Sequence, residues 1–499
     1  MKSSLLRMYE MKNMWRSLLT LSMLSASPLL LANPLLLSNN DNLILEDCYI
    51  EGIRQQVQCG QLKVPENYQQ PNDTTISINF AVIPAIDKSQ NKEPFMFLAG
   101  GPGQAAVELA AGLRQAFTEV RKTRDLILVD QRGTGKSHPL QCDEVDGGQN
   151  VYQIIPEDFD IQEVKDCLAS LSGDLSQYNS ENSIRDFDAV RIALGHEKIN
   201  IYGGSYGTRA GLIYLRMFPN SLRSVILDSV GPIEVPIGTF GQSSARAFNL
   251  LLESCNKQSS CQQAYPKLLE EFNQVIERLT EKTVAIDIVH PRLGVKTEFM
   301  VSKAKFISTL FNQLYSMQGH SLIPLVIHQA NKGNFAPLAG LIAQTDNADG
   351  NGMYVGLTFN IVCNEDIPKV TDAMFSADAD NNFSGDNSHL GWQAVCPLWP
   401  SFTVEESFYQ AVTANVPTLI LSGNLDPVTP PSNGEKSAAT LPNSHHIIVD
   451  NAAHIAGMSN CGVNIINEFL TTLTPKKLDE ECLKDLPVTS FMTSLNGSI

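Results

Sequence analysis

The chain has 499 residues, 43% of them hydrophobic and 18% charged, which suits a globular protein with a large core and room for more than one lobe. Its formal net charge is −17 and it has no basic run longer than two residues, which argues against a nucleic-acid partner.

Residues 1–32 read as a secretory signal peptide. Lys12 and Arg16 precede a stretch from Ser17 to Ala32 that is mostly Leu, Ser and Ala, with cleavage placed after Ala32 and, as the alternative, after Ala26. Glu10 sits ahead of those basic residues, so Met11 is an alternative start. The competing reading is a membrane anchor, but Pro28 interrupts a run already short for a bilayer. No later stretch is long and apolar enough to cross, so no stable membrane insertion is expected after cleavage. Cleavage would remove Lys2, Arg7, Lys12 and Arg16 against Glu10 and leave a mature chain at −20. The expected location is outside the cytoplasm, secreted or periplasmic.

An even number of cysteines in an exported chain favours disulfides over a metal site. There is no C-x-x-C, and no histidine falls at zinc-ligand spacing from a cysteine pair, so no metal is expected. Paired in order, the cysteines close five short loops, the simplest connectivity: Cys48–Cys59, Cys142–Cys167, Cys255–Cys261, Cys363–Cys396 and Cys461–Cys482.

Along residues 44–235, short apolar runs alternate with helical patterns. Ile76, Ile78, Phe80 and Val82 alternate as in an antiparallel strand leading into a sheet. Phe95–Leu98, Leu126–Val129, Lys198–Tyr202 and Val225–Leu227 read as buried strands, and Ile184–Leu194 as a helix. This rhythm predicts an α/β class core: a mostly parallel sheet with helices on both faces. From 236 to 411 the rhythm gives way to helical patterns (Ala245–Leu251, Ala264–Leu279, Lys303–Leu314) and polar loops such as Asp346–Asn351, read as an inserted, mainly helical lid. The core resumes over 412–484 with strands at Pro417–Leu421 and His446–Val449, and 485–499 reads as a loose C-terminal tail.

The chemistry is carried by Gly203-Gly204-Ser205-Tyr206-Gly207, a G-x-S-x-G turn between a strand and a helix ending before Pro219. Such a turn exposes the serine hydroxyl near the positive end of a helix. A serine needs a base and an acid that orients it, in chain order Ser, Asp, His, each just past a strand. Asp426 follows the strand ending at Leu421, and His454 follows the one ending at Val449. His445 and His446 lie at the wrong end of theirs. A developing oxyanion needs two backbone N–H donors, assigned to Tyr206 and to Gly101 in Gly100-Gly101-Pro102-Gly103. Two other motifs fail. Gly133-Thr134-Gly135-Lys136-Ser137 resembles a phosphate loop, but Asp130 stands where that loop needs glycine, and no H-E-x-x-H occurs.

Together with Asp130-Gln131-Arg132-Gly133-Thr134-Gly135-Lys136-Ser137, these motifs resemble the α/β-hydrolase peptidases, namely the prolyl iminopeptidases and, more closely, the secreted tripeptidyl-aminopeptidase-like proteins, from Cys48 to Cys482. Two positions depart from that pattern: Ala99 where prolyl iminopeptidases have histidine, and Ile455 where glycine often follows the catalytic histidine. The resemblance implies an α/β-hydrolase fold, no cofactor, short peptides as substrates, and lid acids that bind the substrate's free amino group. Cys363-Asn364-Glu365-Asp366 resembles the corresponding lid element, which makes Glu365 the candidate and Asp366 the fallback. The expected activity is therefore a serine aminopeptidase. An esterase using the same triad and a catalytically inert binding protein are the rivals.

Overall fold

The apolar runs pair into one nine-stranded sheet in the computed structural model, which describes residues 42–496 apart from 91, 143–151, 154, 157–159, 346–351, 381–382 and 386–388. The signal peptide and the polar loop at 346–351 lie outside the described residues. The strands are β1 Leu43–Cys48, β2 Val57–Pro65, β3 Thr75–Ile83, β4 Phe95–Leu98, β5 Leu126–Val129, β6 Ile199–Gly204, β7 Leu222–Asp228, β10 Thr418–Gly423 and β11 Ser444–Val449. Their order is β1-β2-β3-β5-β4-β6-β7-β10-β11. β1, β2, β3 and β5 join antiparallel, and every pairing from β5 to β11 is parallel. This is the mostly parallel sheet that the alternation of strand and helix predicts, in the α/β-hydrolase fold that the resemblance implies.

The central strands are apolar throughout because both faces are covered. On one face Ile127, Ile201, Leu227 and Ile420 pack with Ile184, Phe187 and Ile213 of two helices, Ser180–Ala193 and Tyr206–Met217. On the other, Leu128, Tyr202, Ile226 and Leu421 pack under Phe117, Ile466 and Phe469. Successive side chains thus alternate between two cores, and every loop that follows a parallel strand emerges at one sheet edge.

Between β7 and β10 the chain builds helices around a separate apolar cluster that includes Phe248, Phe272, Phe306 and Leu310. The helical pattern at 264–279 divides in two, Ser259–Ala264 and Leu268–Glu281, because Pro266 cannot donate a backbone hydrogen bond or tolerate the preceding turn. The segment also holds an antiparallel hairpin absent from the sequence reading, β8 Val284–Val289 with β9 Lys296–Val301. The C-terminus is not loose as far as residue 492. Phe491 is buried in the same cluster, and the Met492 N–H donates to Ser321 O at 2.9 Å. Gln258 Nε2 and the Tyr265 hydroxyl donate to Thr489 O and Met492 O. One buried aromatic outweighs the polar composition around it. All five disulfides pair as expected from the order of the cysteines.

Candidate active site

Ser205 occupies the turn between β6 and the helix Tyr206–Met217, with φ 56° and ψ −124°, a conformation costly for a residue with a side chain. Two glycines make the turn possible. A Cβ on Gly203 would lie 2.1 Å from Gly207 O, and one on Gly207 would lie 2.1 Å from Leu98 O. The turn is pinned to the neighbouring strand by the Ser205 N–H, which donates to Asp228 O at 3.0 Å.

Asp426 and His454 meet after β10 and β11. His454 Nδ1 lies 2.8 Å from Asp426 Oδ2. The second carboxylate oxygen accepts from the backbone N–H groups of Val428 and Thr429 at 2.9 and 2.8 Å, and Thr429 Oγ1 donates to Oδ2 at 2.7 Å. Burial raises the Asp426 pKa, but the neighbouring imidazole and these donors outweigh it and hold the carboxyl below its usual value. Ser205 and His454 line one cleft of about 580 Å³, together with Gly100, Gly101, Gln104 and Met353. Ser205 and His454 share no direct hydrogen bond, a contact that in such triads commonly tightens only in the substrate complex.

Gly101 and Tyr206 also come to the serine. The loop bearing Gly101 packs on Ser205 so closely that a Cβ on Gly100 would lie 3.3 Å from Ser205 Cβ. Gly101 has φ 109°, which suits glycine, and lines a second, smaller pocket with Ser205 and Tyr206. The Tyr206 N–H opens its helix and has no intrahelical acceptor.

Glu365 and Asp366 do not reach either cavity. Both are buried: Glu365 accepts from the N–H and hydroxyl of Ser180, at the start of the helix Ser180–Ala193. Asp366 pairs with Arg209 Nη1 at 2.7 Å and accepts from the Ile237 N–H at 2.8 Å. The physical reason is local. Thr358 and Val362, four residues apart on one helical face, line the pocket at Ser205, whereas the wide turn Val362–Asp366 carries the two acids past that face. Burial, with Asp366 beside it, outweighs the Ser180 hydroxyl and N–H and the nearby Arg209 charge and pushes the Glu365 pKa up to about 7. The two acids expected to meet the substrate amine thus lie outside both cavities at Ser205, and Glu365 lines a separate one of about 460 Å³ with Tyr68, Asn179 and Phe402.

Three residues absent from the sequence reading complete the surroundings. Tyr315, from the inserted segment, sets its ring edge-on to His454 at 5.1 Å and accepts the His454 N–H at its carbonyl. Asp228 accepts from the N–H groups of Ala456 and Gly457 and from the Tyr202 hydroxyl, fixing the loop that bears His454; burial raises its pKa to about 6. Thr429 spans Asp426 and His454. In the Asp130–Ser137 motif, Arg132 forms a fully buried pair with Asp186 at 2.6 Å and Gln131 Nε2 donates to Ser183, so this loop holds structure. Among the described residues no cluster of potential metal ligands occurs, and no helix is long and apolar enough to cross a membrane.

Fold and site define a hydrolase of the α/β-hydrolase fold. Residues 93–274 match the family model described as alpha/beta hydrolase fold, and residues 383–482 match the one described as TAP-like protein. Serine protease Hip1 of Mycobacterium tuberculosis is 27% identical over 457 residues, covering 83% of this chain and 84% of Hip1. Tripeptidyl aminopeptidase of Streptomyces lividans is 27% identical over 211 residues, 37% of either chain. Carboxylesterase B of M. tuberculosis is 26% identical over 417 residues, covering 77% of this chain and 78% of the esterase. The chain is thus distantly homologous to serine peptidases and to an esterase.

Proposed function

We propose that the protein is an exported serine hydrolase that cleaves peptides near a free N-terminus through an acyl-enzyme. The observation that carries this reading is the convergence of a strained serine turn and a buried Asp426–His454 pair on one cleft. In this mechanism Ser205 Oγ attacks the carbonyl and His454 takes its proton. Asp426 fixes the imidazole with Nδ1 protonated and stabilises the imidazolium. The Gly101 and Tyr206 N–H groups receive the oxyanion. His454 then returns the proton to the leaving amine, and water, activated the same way, releases the acyl group. The peptidase half of the reading leans on the resemblance to Hip1 and tripeptidyl aminopeptidase, and the five disulfides support export.

A second reading, an esterase, draws on one observation: among the described residues no carboxylate lines either cavity at Ser205, so no anchor for an ammonium group is in place there. The experiment that separates them compares a peptide bearing a free amine with its N-acetyl form and with a matched ester. The peptidase reading expects turnover of the free-amine peptide and a loss on acetylation of about tenfold or more, the size of a charge-assisted contact. Turnover of the ester alone would establish the esterase.

A further inference from the structure

Two cavities meet at Ser205, and the mechanism tells them apart. His454 must hand its proton to the leaving group, so the leaving group lies where His454 is. His454 lines the open cleft and not the smaller pocket, Tyr206 lines the smaller pocket and not the cleft, and Gly101, the other oxyanion donor, lines both beside Ser205. With the carbonyl oxygen held by those donors, the acyl substituent points into the pocket.

We infer that this pocket is the acyl-side specificity site and that it takes a single uncharged apolar group up to about the size of a benzyl or isobutyl side chain. The inference rests on the serine-hydrolase reading and is independent of whether the leaving group is an amine or an alcohol. Its walls include Val235, Pro236, Ile237, Phe240, Val362 and Trp392, with a volume of about 150 Å³. An apolar cavity of about that volume holds a benzene-sized guest. Among the described residues one ion lines it, Arg209, whose Nη1 pairs with Asp366 and whose Nη2 donates to Pro232 O and Val235 O, while its buried Nε has no hydrogen-bond partner. A charged substituent would give up its hydration among mostly apolar walls and is disfavoured.

Gly231 sets the width of the pocket. It lines the wall, it is not in the left-handed conformation, and a Cβ built on it meets nothing nearer than Ser205 O at 3.9 Å. A side chain at 231 therefore fits the backbone and occupies the space meant for the substituent.

The test uses p-nitrophenyl esters that share a leaving group and differ in the acyl part: acetyl, 3-phenylpropanoyl and the anionic succinyl. The wild-type protein should prefer 3-phenylpropanoyl over both others by about tenfold or more in kcat/KM, the discrimination an apolar pocket gives per missing group. Gly231→Val should lower 3-phenylpropanoyl turnover by about tenfold or more and acetyl turnover by less than about threefold. Trp392→Ala, which removes an indole ring from the pocket wall and serves if Gly231→Val does not fold, should shift preference toward bulkier acyl groups. Equal losses on both neutral esters, preference for succinyl, or unchanged preference in Trp392→Ala would each overturn the assignment. Absence of Ser205-dependent turnover on all three esters, with peptides cleaved, would instead count against an ester-competent site, so the two failures are distinguishable.

Discussion

Asp426 and Glu365 are two buried carboxyls that differ in everything but their burial. Asp426 faces His454 and four hydrogen-bond contacts from Val428, Thr429 and the imidazole, and its pKa is held below the usual range. Glu365 faces one serine, another acid and the charge of Arg209, which is already paired with Asp366, and its pKa rises to about 7. Burial alone raises both; a titratable cation and convergent N–H donors decide which remains an anion. A neighbour that can become an imidazolium marks a working acid.

The largest effects should fall on the Asp426 side of that comparison. Ser205→Ala and Asp426→Asn should each lower kcat by about three orders of magnitude or more while leaving the far-ultraviolet circular dichroism unchanged, as for other Ser-His-Asp triads. Near-normal turnover of either variant would remove it from the mechanism. Next in size is the ion pair beside Glu365. Asp366→Asn leaves Arg209 buried without its partner and should destabilise by about 3–5 kcal/mol in denaturant titration. A change under about 1 kcal/mol would mean that water reaches the pair. Opening the disulfide that braces this segment, with Cys363→Ser and Cys396→Ser together, should cost about 2–4 kcal/mol.

The smallest effect should be Glu365→Gln, with kcat/KM on a neutral ester within about threefold of wild type. Its signature lies in pH. A carboxyl whose pKa rises from 4.5 unfolded to about 7 folded keeps its proton longer in the folded state. Its contribution is therefore full below about pH 4.5 and is lost as pH rises through about 7. Melting temperatures at pH 5 and pH 8 should show wild type losing stability relative to the variant at the higher pH. Parallel curves would mean that Glu365 is ionised throughout.

The half of the site carried by strand ends was legible in the sequence, and the half carried by docking was not. Ser205, Asp426 and His454 each follow a short apolar strand, and their placement needs only the chain order and the rule that loops emerge at one sheet edge. Gly101 was legible for the same reason, as were the cysteine pairs, each closing a short loop. Tyr315 reaches His454 only because the inserted helices settle over the sheet, and no local pattern announces that contact. Glu365 was found as a functional candidate, but Cys-Asn-Glu-Asp does not say which way the wide turn Val362–Asp366 aims its acids. Phe491 was hidden by its Ser- and Thr-rich neighbours, although a lone aromatic in such a stretch is itself a signal of docking.

The mechanism turns on Ser205 as the activated nucleophile, and a fluorophosphonate probe tests this most directly. The folded protein should be labelled once, on the peptide containing Ser205, as read by mass spectrometry after digestion. The label should be absent from Ser205→Ala and strongly slowed in Asp426→Asn, while Glu365→Gln labels at nearly the wild-type rate. Labelling at another serine, or no labelling of the folded wild-type protein, would contradict it.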